Sequence, residues 1–243
     1  MSAGEVGLSR RLMAIAGLVS EKGRLCDVGC DHAYLSVSLV EQGRIPSAIA
    51  MDVAQGPLAM AARHVAERGL SDRVELRLSD GLEKLQQGEA YTLVLAGMGG
   101  RLILDILSRE PEVASSVPEW ILAPQSDQRL VRRWLRSIGR QIVEEELVRE
   151  KGKYYPIMKA VPSAKGQRAG ASEALEPEDS YGPVLLRRRH PLLLAYLRRE
   201  QDRLEAIRPE VETRQDESSR RILQELSRTR QALQYFEDGG ETQ

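Results

Sequence analysis

The sequence predicts an α/β protein with a mostly parallel sheet, followed by a helical appendage. Over residues 1–162, short apolar runs alternate with segments of helical spacing. The runs are almost continuously apolar, which is typical of parallel strands that helices cover on both faces. A stretch rich in Ala, Gly, Ser, Glu and Pro follows, and beyond it only helical spacing remains. We therefore divide the chain into a sheet domain (1–162), a linker (163–180) and a helical appendage (181–243).

Seven strands and six helices are predicted in the first domain. The first helix covers residues 8–19 and places Leu8, Leu12, Ile15 and Val19 on one face. The strands are predicted at 24–28, 47–53, 74–78, 91–95, 120–123, 141–149 and 154–161, the last two as a hairpin. The later helices are predicted up to residue 41, from 56 to 69, around 82–85, over 102–107 and over 130–138.

The appendage contains two amphipathic segments. Apolar residues recur at three-four spacing in both, at Leu193, Leu197, Leu204, Ile207 and Val211 and again at Ile222, Leu226, Thr229, Leu233 and Phe236. Two segments of similar length favour an antiparallel coiled coil within one chain, and hence a monomer, although a homodimer seam is the alternative. From residue 187 to 236 there are 12 Arg and 8 acidic residues, a balance of +4.

Composition excludes several classes of protein. Apolar residues make up 42% and charged residues 29% of the 243, which is ordinary for a globular protein. The formal net charge of -1 gives no sign of the strongly basic surface typical of nucleic-acid-binding proteins, but one face of the protein can still be basic. No apolar run approaches the roughly 20 residues of a membrane span, and residues 1–7 contain no signal core. We expect a cytoplasmic protein without a membrane partner, in which Cys26 and Cys30 are reduced thiols.

Polar and glycine-rich residues follow five of the predicted strands. They are Asp27–Asp31, Asp52, Asp80, Gly97–Gly100 and Pro124–Ser126. Ligands of such sheets bind beyond the carboxyl ends of the strands. These five strand ends therefore predict one binding rim.

The first strand-to-helix turn indicates which cofactor the rim binds. Gly29 is the only glycine left of a dinucleotide fingerprint, with Asp31 and Ala33 at the other two places, so a pyrophosphate cofactor is disfavoured. S-adenosylmethionine carries no phosphate. Asp27 suits its ammonium, Asp52 its ribose diol and Asp80 its adenine amino group, unless these acids only cap helices. We assign Gly29, Val53, Gly81, Ala96, Gly97 and Met98 to the same pocket.

Four blocks of the sequence resemble the bacterial tRNA (adenine-22 N1)-methyltransferases. They are Asp27-Val-Gly-Cys-Asp-His-Ala-Tyr-Leu35, Asp52-Val-Ala-Gln-Gly-Pro57, Ser79-Asp-Gly-Leu82 and Ala96-Gly-Met-Gly-Gly100. The resemblance extends through Trp134, Glu150–Tyr155 and Tyr181-Gly-Pro183, so it covers nearly the whole chain. It implies a Rossmann-like methyltransferase domain, a helical coiled-coil domain that helps to hold tRNA, and S-adenosyl-L-homocysteine as the product. Methyl transfer needs no metal, and we expect none.

The resemblance directs attention to the residues beside the cofactor turn. Methylation at N1 makes the adenine ring positive, which a nearby carboxylate stabilises. Asp31 is our candidate for this carboxylate, as base or acceptor for the N6 amino group; capping of the next helix is the alternative. His32 contacts phosphate or shapes the turn, and Tyr34 stacks on the flipped adenine or belongs to the core.

Substrate contacts are predicted along the same rim. Gly99 and Gly100 allow close approach of the base, and Gln125 ends the fifth strand. Arg101, Arg132 and Arg133 are candidates for tRNA phosphate contacts, with solvated surface charges as the alternative. Two other functions remain open: a methyltransferase acting on a small molecule or a protein, and a non-catalytic RNA-binding protein with a vestigial pocket.

Overall fold

The computed structural model describes residues 7–164, 176–214 and 216–237. Seven strands form one sheet in the order β3-β2-β1-β4-β5-β7-β6. The strands are β1 (Leu25–Val28), β2 (Ala48–Asp52), β3 (Val74–Leu78), β4 (Thr92–Ala96), β5 (Glu119–Ala123), β6 (Arg140–Glu150) and β7 (Lys153–Pro162). The first five are parallel, and β7 runs antiparallel to both β5 and β6. The predicted seven-stranded, mostly parallel sheet is confirmed.

Helices cover both faces of this sheet. They are α1 (Arg10–Leu18), α2 (Tyr34–Glu41), α3 (Gln55–Glu67), α4 (Gly100–Arg109), α5 (Pro111–Ser116) and α6 (Gln128–Ser137). One apolar cluster packs around Ile15, Leu39 and Ile121, and a second on the other face packs around Ile49, Leu95 and Trp120. The central strands β1, β2, β4 and β5 are buried along almost their whole length, as their uninterrupted apolar runs predict.

One local prediction in the sheet domain is wrong, and one short helix was not predicted. The segment around Leu82–Leu85 forms turns, with Leu82 and Leu85 buried in the core, and no helix. Helix α5 was not predicted, because six residues are too few to show a helical period. Its start is encoded by Pro111, whose fixed φ suits the first turn of a helix.

The appendage consists of α7 (Glu178–Tyr181), α8 (Pro183–Arg187), α9 (Pro191–Thr213) and α10 (Glu217–Glu237). The two long helices lie antiparallel: the start of α9 is near the end of α10, where Arg189 donates to the carbonyl of Tyr235. Leu197, Leu204, Leu226 and Leu233 are buried between them or against β6. The two-helix pair is as predicted, whereas supercoiling of the pair stays a prediction.

The predicted linker (163–180) is only partly within the described chain. Residues 165–175 lie outside it. Residues 176–180 form a turn and the start of α7, and Asp179 is buried against Arg136 of α6. The last five residues of the predicted linker therefore belong to a packed junction. They were assigned to the linker because the stretch before them is rich in Ala, Gly, Ser, Glu and Pro.

Candidate cofactor and substrate site

A cavity of about 290 Å³ opens at the carboxyl ends of β1 and β4. Its lining is formed by Arg11, Leu12, Asp27, Gly29, Cys30, Asp31, Tyr34, Leu35, Ala96, Gly97 and Gln125. Three of the five predicted strand ends meet in it, and α1 adds a wall that strand ends alone did not predict. Asp52 is linked to this cavity by a hydrogen bond from the backbone N–H of Asp31 (3.3 Å).

The turn after β1 has an unusual backbone. Gly29, Asp31 and Ala33 all have positive φ, at 71°, 52° and 56°. A Cβ on Gly29 would lie 3.1 Å from Met98 Cε, so this position needs both the freedom and the small size of glycine. Asp31 and Ala33 are non-glycine residues in the left-handed region, a conformation that clusters at functional sites.

Asp31 does not cap α2. The N-cap is Ala33, and no side chain hydrogen-bonds to the first turn of the helix. The Asp31 side chain is 71% exposed, and its Oδ1 lies 3.4 Å from His32 Nε2. The capping alternative therefore does not hold in the described structure, and base or hydrogen-bond acceptor stays a prediction for this carboxylate.

Asp27 is a buried carboxylate without a cationic partner among the residues described. Its Oδ2 accepts a hydrogen bond from Ser36 Oγ (3.2 Å). Burial raises the pKa of Asp27 to about 7; the Ser36 hydrogen bond opposes the shift, and the charge of Asp52 adds to it. A carboxylate in this state gains strongly from a ligand cation. Ser36, a single serine on the buried face of α2, was not among our predicted site residues.

Asp52 and Val53 lie together at the end of β2. Asp52 Oδ1 accepts from the backbone N–H of Ala54 (2.9 Å), while its Oδ2 is bonded to the turn. Val53 is 68% exposed, an unusual state for a large aliphatic residue beside a polar cleft. The pair offers a carboxylate next to an apolar surface, which suits a ribose and the base attached to it.

Asp80 is paired in a way that its position at a strand end did not predict. Arg109 of α4 forms two hydrogen bonds to it, Nη1 to Oδ2 and Nη2 to Oδ1, both 3.0 Å. These bonds lower the pKa of Asp80. Gly81 has φ of 60°, and a Cβ there would press on Ile106 of α4 at 3.0 Å. An adenine acceptor at Asp80 stays a prediction, now with Arg109 as its orienting partner.

Arg11 is the cation of the cavity. The guanidinium lies over the Tyr155 ring, 5.3 Å from its centroid, and buried Nε has no hydrogen-bond partner in the structure as described. Arg10 and Arg11 are neighbours in α1, and no local sequence pattern predicts which of the two faces the cavity. Only the packing of α1 against the sheet distinguishes them.

The glycine-rich turn after β4 divides into two parts. Ala96 and Gly97 line the cavity, and Met98 covers Gly29. Gly100 is buried, its N–H donates to the Ser126 carbonyl (3.1 Å), and a Cβ would meet that oxygen at 2.6 Å. The structure thus corrects the predicted substrate contact of Gly100, which instead packs α4 against the turn after β5. Gly99, the N-cap of α4, is partly exposed between them.

His32, Tyr34 and His64 form a chain of rings beside the turn. The Tyr34 ring centroid lies 5.5 Å from that of His32 and 4.9 Å from that of His64. His64 Nδ1 is 3.1 Å from the His32 carbonyl, whereas His32 Nδ1 is buried and has no hydrogen-bond partner among the described residues. Tyr34 therefore packs between the two histidines and also lines the cavity. A packing role and a contact with the adenine, predicted as alternatives, are compatible at this position.

The predicted basic cluster on α6 separates into one buried and one exposed residue. Arg132 is 3% exposed, and its Nε lies 3.0 Å from Glu145 Oε1. The predicted phosphate contact of Arg132 is therefore wrong, because its guanidinium is buried and paired inside the protein. Arg133 is exposed. Arg101 is 81% exposed in its side chain and lies 3.4 Å from Asp127. Gln125 lines the cavity, as its place after β5 predicts.

The described ranges contain neither a candidate metal site nor a helix that could span a membrane. Residues 7–164, 176–214 and 216–237 contain no group of three His, Cys, Asp or Glu that could hold a metal ion. Within the same ranges, no helix has the length and apolarity to cross a membrane. Cys26 and Cys30 are buried free thiols, as predicted.

Comparison with known proteins places this geometry in a family. Residues 8–158 match the family model described as a methyltransferase domain. The tRNA (adenine(22)-N(1))-methyltransferase of Bacillus subtilis (strain 168) is 29% identical over 239 residues, which cover 97% of this chain and 99% of the relative.

The whole fold is shared with solved structures. A putative tRNA (m1A22) methyltransferase of Streptococcus pneumoniae is 32% identical and superposes with a TM-score of 0.83 over 93% of this chain and 100% of the other. The same protein in complex with S-adenosyl-L-methionine superposes with a TM-score of 0.80 over the same shares. The chain therefore belongs to the methyltransferase-domain family and, within it, to the bacterial tRNA (adenine(22)-N1)-methyltransferases.

Proposed function

We propose that this protein transfers a methyl group from S-adenosylmethionine to N1 of adenine 22 in tRNA. The observation that carries the proposal is a cavity at the strand ends that contains a buried carboxylate, Asp27, and a cation, Arg11, without an ion-pair partner for either in the described chain. Opposite charges held apart in one cavity suit a zwitterionic ligand. The family relationship supplies the substrate.

The residues of the cavity fit this cofactor. Asp27 would bind its ammonium and Arg11 its carboxylate, each by a charge-assisted hydrogen bond. The Gly29 turn would lie against the methionine part, since it lines the same cavity as Asp27 and Arg11. Asp52 would accept from the ribose hydroxyls, with Val53 against the sugar and the base. Asp80 would accept from the adenine amino group, and Gly81, Ala96, Gly97 and Met98 would complete the pocket.

S-adenosylmethionine, when bound, supplies an electrophilic methyl group at its sulfonium. The chain's contribution is to position adenine so that the N1 lone pair is in line with the methyl carbon–sulfur bond. The new N1–carbon bond forms as the carbon–sulfur bond breaks, and the sulfur keeps the bonding pair. The ring becomes positive and its N6 amino group becomes more acidic.

Asp31 is suited to the charge that develops on the base. Its carboxylate is exposed at the cavity, is not used as a helix cap, and lies beside His32. It would accept a hydrogen bond from N6 during attack and take the N6 proton afterwards. His32 would orient Asp31, and Tyr34 would lie against the adenine. Gly99 and Gln125 would contact the base from the opposite rim.

The substrate is a large polyanion whose target base must leave the stack. Arg101 and Arg133 are exposed, which supports them as candidates for phosphate contacts. The two long helices of the appendage bury their apolar residues on each other within one chain, which supports a monomer. A protein acting on tRNA would work in the cytoplasm.

The test is methyl transfer from labelled S-adenosylmethionine to an unmodified tRNA transcript, with the product nucleoside identified by mass spectrometry. We expect 1-methyladenosine, and none from a matched transcript in which A22 is replaced by guanosine. Cofactor binding without transfer to any tRNA would favour the alternative that the protein methylates a small molecule or a protein. Failure to bind the cofactor in calorimetry would favour the non-catalytic RNA-binding alternative.

A further inference from the structure

A second cavity, of about 530 Å³, lies between the β6–β7 hairpin and the helical appendage. The hairpin contributes Lys153 and Tyr154, the appendage contributes Tyr181, Tyr196 and Arg199, and α6 contributes Gln128. Its volume is within the range of sites for small molecules and single nucleotides. We call it the junction groove.

The junction groove adjoins the cofactor cavity. Gln125, two residues beyond the end of β5, lines both. A ligand whose reacting group lies in the first cavity would therefore extend past Gln125 into the second. None of the cofactor contacts proposed above reaches the groove, so what it binds belongs to the substrate.

The lining of the groove is aromatic. The rings of Tyr154 and Tyr196 are 5.1 Å apart in an edge arrangement, and Tyr181 is 6.4 Å from Tyr196. Tyr154 is only half-buried, although it packs against the apolar cluster of the appendage. Aromatic rings along a cleft are a general platform on which nucleic acid bases stack.

Cations without ion-pair partners surround this platform. The guanidinium groups of Arg149 and Arg199 lie 5.7 and 5.6 Å from the centroid of the Tyr154 ring. Arg149, Lys153 and Arg199 are all exposed, and none has an ion-pair partner in the described part of the chain. Some other exposed arginines of the appendage do pair, such as Arg221 and Arg230. Unpaired cations beside exposed rings suit a phosphate backbone that carries bases.

We propose that the junction groove binds an unstacked nucleotide of the RNA that flanks the methylated adenine, with its base on Tyr154 and its phosphate at Arg199 and Lys153. The inference rests on the proposed function and specifies how that substrate is held. It also gives the appendage a role at the reaction centre: α9 supplies one wall of the groove, so both domains hold the same short segment of RNA.

The test measures tRNA affinity of full-length variants by fluorescence anisotropy. Tyr154→Leu removes the ring and is expected to raise the tRNA Kd about tenfold, whereas Tyr154→Phe keeps the ring and should stay within about twofold of wild type. Arg199→Ala is expected to weaken tRNA binding severalfold and to reduce the salt slope of log Kd by about 1. Arg198→Ala is the matched control, since Arg198 is the adjacent exposed arginine outside the groove.

Cofactor affinity, measured by calorimetry, should be unchanged in all four variants, which separates loss of a groove contact from loss of folding. The inference is overturned if Tyr154→Leu and Tyr154→Phe bind tRNA equally, or if Arg199→Ala and Arg198→Ala have the same Kd and salt slope. Wild-type protein that binds cofactor but neither binds nor methylates tRNA would instead refute the proposed function.

Discussion

The cofactor rim and the domain junction each contain a carboxylate and an arginine with buried atoms, which pair with each other at the junction but have no ion-pair partner at the rim in the described chain. At the junction, Arg132 of α6 pairs with Glu145 of β6, and the other oxygen of Glu145 accepts from the N–H groups of Val184 and Leu185 at the start of α8. At the rim, Asp27 has only a serine hydroxyl, and Arg11 Nε has no hydrogen-bond partner in the described structure.

The difference indicates what each charge is for. Charges that satisfy one another inside the protein hold its parts together, and Gly182 shows how tightly: a Cβ there would lie 2.6 Å from Glu145 Oε2. A buried charge without a partner is costly, so it persists where a ligand supplies the partner. The predictions below change one side of this contrast at a time.

The largest effect is expected at the junction. Arg132→Ala leaves Glu145 buried without its cation, which costs about 3–5 kcal/mol. For a protein of this size, the melting temperature should fall by roughly 10 °C. Arg133→Ala, an exposed neighbour on the same helix, should change stability by less than about 0.5 kcal/mol. Equal melting temperatures of the two variants would show that the ion pair does not hold the junction.

Asp27→Asn should have opposite effects on binding and stability. Removing the carboxylate should weaken S-adenosylmethionine binding roughly a hundredfold, about the size of a buried charge-assisted contact. The folded-state pKa of Asp27, about 7, lies above its ordinary value of 3.8. Ionisation therefore destabilises the free protein as pH rises from about 4 through 7, and the cost is fully present at pH 8.

The variant avoids that ionisation, so at pH 8 the ligand-free Asp27→Asn protein should be more stable than wild type, by roughly 1–3 kcal/mol. Thermal denaturation at pH 8 and at pH 5 checks the sign, because the advantage should shrink at the lower pH. A variant that is less stable at pH 8 would mean that Asp27 is held by contacts other than those described.

Asp31→Asn addresses the exposed carboxylate of the rim. Asparagine tolerates the left-handed backbone of this position, so the substitution removes charge with little change in strain. The kcat for tRNA methylation should fall about 10–100-fold, with cofactor affinity within about twofold of wild type. If cofactor affinity falls as much as kcat, Asp31 serves the cofactor rather than the base.

Wild-type cofactor affinity should depend on pH through Asp27. The carboxylate must be ionised to bind the ammonium, and its pKa is about 7 in the free protein. The association constant should therefore be level above pH 8 and fall toward a limiting slope of about tenfold per pH unit below 7. Calorimetry at pH 6, 7 and 8 measures this, and Asp27→Asn should flatten the slope. A slope retained in that variant would assign the titration to another group.

The sequence was sufficient for the sheet and for the carboxylates of the rim, because both depend on local pattern. An apolar run that ends in an acid places that acid at the carboxyl end of a strand, as for Asp27 and Asp52. Arg132 could not be placed this way, since its partners are 13 and 47 residues further along the chain and its own helix contains four arginines.

The same limit applies to cavity residues from other elements. Arg11 reaches the site because α1 packs against the last strands of the sheet, a contact that no local pattern contains. The junction groove depends on the arrangement of the hairpin and α9, which are separated by the predicted linker. Helices α7 and α8 have only four and five residues, too few to repeat a helical pattern, and the start of α7 was therefore included in the predicted linker.

Arg109→Ala should have the smallest effect. It tests whether the partly exposed Arg109–Asp80 ion pair contributes to cofactor binding or only to the stability of the fold. Solvent screens such pairs, so they contribute little to stability and the melting temperature should hardly change. If Asp80 accepts from the adenine of the cofactor, loss of its two guanidinium hydrogen bonds should leave it less well oriented. Cofactor affinity should then fall about two- to fivefold, as measured by calorimetry. Unchanged affinity would show that Asp80 does not need Arg109 to serve the cofactor, and Asp80→Ala then tests Asp80 itself.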